Sequence, residues 1–297
     1  MPGLTLGERQ EGTGLFPRLE REARLLRDAG LNVTLDRKQL GDRLFYRLEV
    51  YREDGAGDLP EVVELVRASA ALAVSETVLE EFEPLLLDEI LKRLRPAYPA
   101  SERAHVLQQA RAIVGRLEMD ASSERSRVME RAVQHLNEEN LLMIDGFVRF
   151  RLKEYHDELA DCVRQAIDDH EFEKERAEFI ALLRDFVDGR PQGVREIHVL
   201  PSENERFRLV DQSGFPVETS YLDDFTWELV DDGQVDMEEL LITTLVSLAP
   251  GKVVCHRPIE TRDVPMVQDV FHDRLDYCAG CPMCQGPVAP TARPRTH

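Results

Sequence analysis

Between Pro99 and Pro191 apolar residues recur almost throughout at helical spacing. A run of that length must bury one stripe after another against a neighbour. The first stripe holds Val106, Ala110, Ile113, Val114 and Leu117, and the second Val128, Met129, Ala132, Val133 and Leu136. A third runs through Phe147, Phe150, Tyr155, Leu159, Cys162, Val163, Ala166 and Ile167. The fourth, Phe179, Ile180, Leu183, Phe186 and Val187, is closed by Gly189 and Pro191. Ser122 or Ser123 is placed to cap the second helix, because a short hydroxyl side chain satisfies the free N–H groups of a first turn. Such helices pack on one another or on a sheet.

Other periods flank this stretch. Phe16, Leu19, Ala23, Leu26 and Ala29 form a helix stopped at Gly30. Leu31, Val33 and Leu35 alternate, as do Leu44, Tyr46, Leu48 and Val50, and Gly41-Asp42 between them predicts a hairpin. Pro60 opens a helix running to about Val78. After Pro191, short strands are expected at 194–200, 207–210 and 215–217. Asp236 then caps a helix through Leu248 that Pro250-Gly251 ends. Strand 252–256, helix 264–271 and strand 274–277 form a crossover between parallel strands. The fold expected is helix-rich α/β: an N-terminal αββα-like region (1–100), a central helical region (101–190), and a C-terminal small mixed sheet with crossover helices (191–286). The tail 287–297, with Pro287, Pro290 and Pro294, is expected to be disordered.

Charge narrows the function. Of 297 residues, 37 are Lys or Arg and 57 Asp or Glu, a net charge of −20. A body this acidic repels phosphate backbones and anionic lipid, so neither nucleic acid nor a membrane surface is an expected partner. Residues 201–240 hold Glu203, Glu205, Asp211, Glu218, Asp223, Asp224, Glu228, Asp231, Asp232, Asp236, Glu238 and Glu239 against only Arg206 and Arg208. A protein partner with a basic surface fits that segment. The first residues, MPGLTLGERQEGTG, show neither a basic n-region nor an apolar run, so no signal peptide is read there. The longest apolar runs, 68–74 and 240–249, are short and interrupted by Ser or Thr, well under the ~20 residues of a membrane span. A cytoplasmic protein with reduced thiols is expected.

Five cysteines are present, and Cys278, Cys281 and Cys284 lie within seven residues around Gly280 and Pro282. Three thiols on one tight turn suit zinc or an iron–sulfur cluster, each needing about four ligands. If strands 252–256 and 274–277 are parallel neighbours, Cys255 or His256 reaches the same sheet edge as Cys278 and supplies the fourth. His272, at the end of the crossover helix, is a weaker candidate. Thiol redox chemistry or a reversible disulfide is an alternative. A thioredoxin-like reading of Cys281-Pro-Met-Cys284 lacks the helix that must follow it. Metal-dependent hydrolysis through Asp223, Asp224, Asp231 and Asp232 is a further alternative. No GxSxG elbow and no Gly-rich phosphate loop is present. His105, His135, His156 and His170 read as packing or surface residues. Arg149, Arg151 and Lys153 read as a solvated face paired with Glu154, Asp157 and Glu158, with Phe147 and Phe150 toward the core.

The run Glu139-Asn-Leu-Leu-Met-Ile-Asp-Gly-Phe-Val-Arg-Phe-Arg-Leu-Lys-Glu-Tyr155 resembles the YtxC-like family of sporulation proteins. The helix 238–250, the strand reaching Cys255-His256 and the Cys278-Ala-Gly-Cys281 region fit that resemblance, which covers about 100–285. It implies a cytosolic protein of endospore-forming bacteria and no assigned reaction. The function expected is therefore contact with other proteins, with a structural metal or cluster site. An enzyme using the C-terminal sheet edge is the alternative.

Overall fold

A computed structural model describes residues 3–9, 12–51, 60–117, 124–191, 193–202, 207–217, 236–257, 259 and 264–285. The Ser122/Ser123 cap, eight of the acids (Glu203, Glu205, Glu218, Asp223, Asp224, Glu228, Asp231 and Asp232) and the tail 287–297 lie outside the described residues. The chain forms two units, Met1–Glu171 and Phe172–His297.

The first unit holds a four-stranded sheet in the order β2-β3-β1-β4. Its strands are β1 (Leu4–Arg9), β2 (Asn32–Leu40), β3 (Arg43–Tyr51) and β4 (Leu141–Met143). Leu40 pairs with Arg43 in the expected β2–β3 hairpin, and Gly41 takes φ +63° in its two-residue loop, a conformation glycine adopts without a Cβ clash. β1 pairs antiparallel with β3 and parallel with β4. Gly7 lies opposite Met143 in that parallel pair, and a Cβ there would collide with the Met143 side chain.

Helices α1 (Leu15–Asp28), α2 (Pro60–Thr77), α3 (Glu83–Leu94), α4 (Ala100–Leu117) and α5 (Glu124–Glu138) belong to this unit, with α6 (Ile144–Arg151). A π-helical turn, Val78–Phe82, joins α2 to α3. It lies just before Pro84, which has no N–H to continue the α-helical ladder. Helix α7 runs unbroken from Lys153 to Asp188, so the third and fourth stripes share one helix after a break at Leu152. One core collects Leu6, Leu15, Leu19, Leu48, Val74, Leu87, Val106, Leu136, Phe147 and Leu159, so the helices after residue 100 share a core with the strands before it.

The phase of α6 corrects one expectation. α6 turns Ile144, Phe147 and Val148 inward with Leu152 just beyond its end, which leaves Phe150 on the far side of the helix, 73% exposed. Its ring carries the Arg149 guanidinium 5.5 Å from the centroid. Arg149, Arg151 and Lys153 are exposed as expected, but their partners differ. Glu154 and Glu158 pair with Arg131 and Arg127 on α5, and Arg151 stands 3.8 Å from Glu139.

The second unit holds a sheet in the order β6-β5-β7-β8, built from β5 (Ile197–Pro201), β6 (Phe207–Asp211), β7 (Val253–Cys255) and β8 (Leu275–Tyr277). β5 and β6 are antiparallel, while β5, β7 and β8 run parallel. The expected strand at 215–217 is a single bridge between Val210 and Pro216. Helix α8 (Met237–Leu248) begins as expected at Asp236, which accepts hydrogen bonds from the Glu238 and Glu239 N–H groups. Helix α9 (Pro265–Phe271) makes the β7–β8 crossover. Its first turn is satisfied from outside, since Glu238 accepts from the Met266 and Val267 N–H groups. The core joins Ile197, Val199, Leu241, Leu245, Val253, Cys255, Val267 and Phe271. In the last turns of α7, Val187 is buried, while Phe179 and Phe186 are exposed.

Candidate metal centre

Strand register decides which side chains meet at the end of the second sheet. His198 lies opposite Val254 on β5 and β7, and Val254 lies opposite Asp276 on β7 and β8. Side chains alternate between faces along a strand. Ile197, Val199, Val253 and Cys255 therefore share the face turned into the core. His256 and Cys278 each stand two residues past the Val254–Asp276 pair, on the other face. Both still follow the ladder: the His256 N–H donates to the Val199 carbonyl at 2.9 Å, and the Cys278 N–H to the Cys255 carbonyl at 2.8 Å. Gly280, at φ +128°, then reverses the chain, and a 3-10 turn at Pro282–Gln285 carries Cys284 back.

The outcome is a compact group. One ligand atom each from His256, Cys278, Cys281 and Cys284 lies within 4.8 Å of all the others. His256 Nδ1 is 3.3 Å from Cys284 Sγ and 3.4 Å from Cys281 Sγ. Cys284 Sγ is 3.8 Å from both Cys281 Sγ and Cys278 Sγ. His256 is 2% exposed and the three thiols are half-buried. The other ring nitrogen of His256, Nε2, is 2.9 Å from Nδ1 of the buried His198.

The electrostatics separate the residues. Burial first, and then the neighbouring His198, hold the His256 imidazole below its ordinary value, which favours the neutral ring that ligates metals. A backbone hydrogen bond at Cys281 leads the contacts that lower the Cys284 thiol. At Cys278 the Gly280 N–H also favours the thiolate, but desolvation and the two neighbouring thiols outweigh it, and the net direction is up. Cys255 is different: burial alone pushes its thiol up to about 12, and it stays an inert core residue.

Of the residues singled out in the sequence, the structure brings together His256, Cys278, Cys281 and Cys284, which could hold one metal ion. Cys255 sits on the opposite face, Cys162 is buried in the first unit, and His272 is exposed beside Asp273 at 2.7 Å. His135 and His156 contact the Leu141 and Val148 carbonyls, each at 3.1 Å, as expected of packing histidines. Sequence reasoning missed His198 and Glu196. Their signal is the alternation Glu196, Ile197, His198, Val199, which puts two polar side chains on the face away from the core.

Fold and site define a class: a helix-rich α/β protein whose second, mixed sheet carries a His/Cys3 group at its end. The chain belongs to the YtxC-like family, whose model matches residues 68–276. It is similar to "Uncharacterized protein YtxC" of Bacillus subtilis (strain 168), 30% identical over 143 residues, which is 47% of this chain and 49% of that protein. The alignment thus spans about half the length of that relative. The family match includes His198 and His256 and ends before Cys278. No solved structure matches the chain. Among the described residues no helix is long and apolar enough to cross a membrane.

Proposed function

We propose that His256, Cys278, Cys281 and Cys284 hold one zinc ion as a structural clip, in a cytoplasmic sporulation-associated protein that works through contacts with other proteins. The spacing of the ligand atoms carries the metal reading. Zn–S bonds of about 2.3 Å and a Zn–N bond of about 2.0 Å, set tetrahedrally, give edges of about 3.8 Å between sulfurs and about 3.5 Å between nitrogen and sulfur. The distances found are 3.8 Å for two sulfur pairs and 3.3 and 3.4 Å for two nitrogen–sulfur pairs. An iron–sulfur cluster spreads its ligands over several irons, and a set gathered this tightly favours a single ion.

Bound there, zinc would neutralise crowded thiolates and tie residues 278–285 to β7 through His256. The protein groups supply all four positions, which is the pattern of structural zinc. Catalytic zinc keeps one position open for water or substrate. That favours a clip over a hydrolase or redox centre. The sporulation setting is what the resemblance of the Glu139–Tyr155 run implies.

Metal analysis of the anaerobically purified full chain, with its absorbance spectrum, tests the assignment. One zinc per chain and no visible absorption are expected, whereas iron with a charge-transfer band would replace the clip by a cluster. The partner reading has its own test. A partner that docks on the acidic 201–240 segment is expected to be basic and to bind more weakly as salt rises from about 0.05 to 0.5 M, as the Debye length shrinks. Salt-insensitive binding to duplex DNA would contradict it.

A further inference from the structure

We infer that Glu196 and His198 form the outer shell of the metal centre, with His198 a positioning residue that locks His256 in the tautomer whose Nδ1 lone pair faces the ion. The inference rests on the zinc reading above and adds the two residues that orient its only nitrogen ligand.

The observations form a chain of four groups. Glu196 Oε1 stands 3.4 Å from His198 Nε2, His198 Nδ1 stands 2.9 Å from His256 Nε2, and His256 Nδ1 faces two thiols at 3.3 and 3.4 Å. Both rings are buried, His198 at 9% and His256 at 2% exposure. Buried polar nitrogens require partners, and a neutral imidazole offers one N–H and one lone pair. The hydrogen bond between the rings therefore runs in one of two directions, and its direction fixes both tautomers.

Suppose His198 donates to His256. The proton of His256 then sits on Nδ1, where it blocks the ion, and His198 turns a bare Nε2 lone pair toward a carboxylate that can only accept. Suppose instead that His256 donates from Nε2. His198 then accepts at Nδ1, carries its own proton on Nε2 and presents it to Glu196, while His256 Nδ1 is left free for the metal. Glu196 breaks the tie: its negative charge favours every proton in the chain being shifted away from the thiols. Ligating histidines are commonly held in this way through the ring nitrogen that does not bind metal.

The fold supplies the geometry from register alone. Glu196 and His198 are two apart at and just before the start of β5, and His198 lies opposite Val254, two residues before His256. All three polar side chains therefore share one face, while Ile197, Val199 and Cys255 fill the core on the other.

Two readouts on the full chain test the assignment. In the zinc-loaded wild type, long-range 15N–1H spectra of the histidine rings are expected to show His256 protonated at Nε2 and His198 protonated at Nε2. A proton on His198 Nδ1 would overturn the relay without any variant being made. In competition with a chromophoric chelator, His198→Ala is expected to weaken zinc binding about 10- to 100-fold, the usual cost of losing an outer-shell partner. His198→Gln, whose side-chain oxygen can accept from His256 Nε2, is expected to recover most of that loss. Unchanged affinity in His198→Ala overturns the positioning role while leaving the zinc site standing. A wild-type chain that binds no zinc at all overturns the zinc reading, and the relay with it.

Discussion

Zinc loading is expected to stabilise the C-terminal unit by about 4 kcal/mol when free zinc stands at about 1,000 times its dissociation constant, because an ion that binds only the folded state shifts unfolding by mass action. Against the roughly 5–15 kcal/mol that holds an ordinary domain folded, that is a large share. The effect should concentrate where the ligands are. β7 and β8 are three residues each, too short to hold position by their ladder, and the chain from Cys278 to Cys284 contributes no residue to the buried core of that unit. Hydrogen exchange with and without a chelator measures this directly. Amides of 253–256 and 275–285 are expected to lose protection on chelation, while those of β1 and β3 keep theirs. Equal loss in both units would count against a local clip.

Phe147→Ala is the second large effect, expected to cost about 3–5 kcal/mol. Phe147 is 3% exposed, in the core with Leu142, Ile144 and Leu152, and its ring stands 6.0 Å from that of His135. The aromatic volume it leaves cannot be refilled by helices pinned on both sides. Phe150→Ala, three residues away, is the control, expected to stay within about 0.5 kcal/mol because the ring is on the surface. Urea unfolding of both variants gives the comparison. A Phe150 cost equal to that of Phe147 would mean that Ile144, Phe147 and Val148 do not mark the inward face of α6.

The features legible in the sequence are those whose signal is local. The β2–β3 hairpin shows through alternation and its Gly-Asp loop, α2 through Pro60, α8 through the Asp236 cap, and the β7–α9–β8 crossover through the change of period. β1 and β4 were hidden for different reasons. β1 carries glycine at position 7, which weakens the strand pattern. β4 is three residues inside a helical run, and only tertiary pairing with β1 makes it a strand. Phe150 is misplaced for a simpler reason: within α6 it falls off the inward face that Ile144, Phe147 and Val148 set.

At the site, the three terminal cysteines were visible as spacing, but the choice between Cys255 and His256 was not. It turns on parity: one residue of register moves a side chain to the other face, and in strands of three residues nothing local fixes register. His198 escaped for a related reason, because its neighbour across the sheet is 58 residues away in sequence.

The zinc K-edge X-ray absorption spectrum of the purified full chain tests the central claim most directly, because it counts ligands by type and distance. The expected first shell is three sulfurs at about 2.3 Å and one nitrogen at about 2.0 Å. A shell of four sulfurs would put another cysteine where His256 stands, and a shell of oxygen and nitrogen alone would remove the metal from the three cysteines altogether.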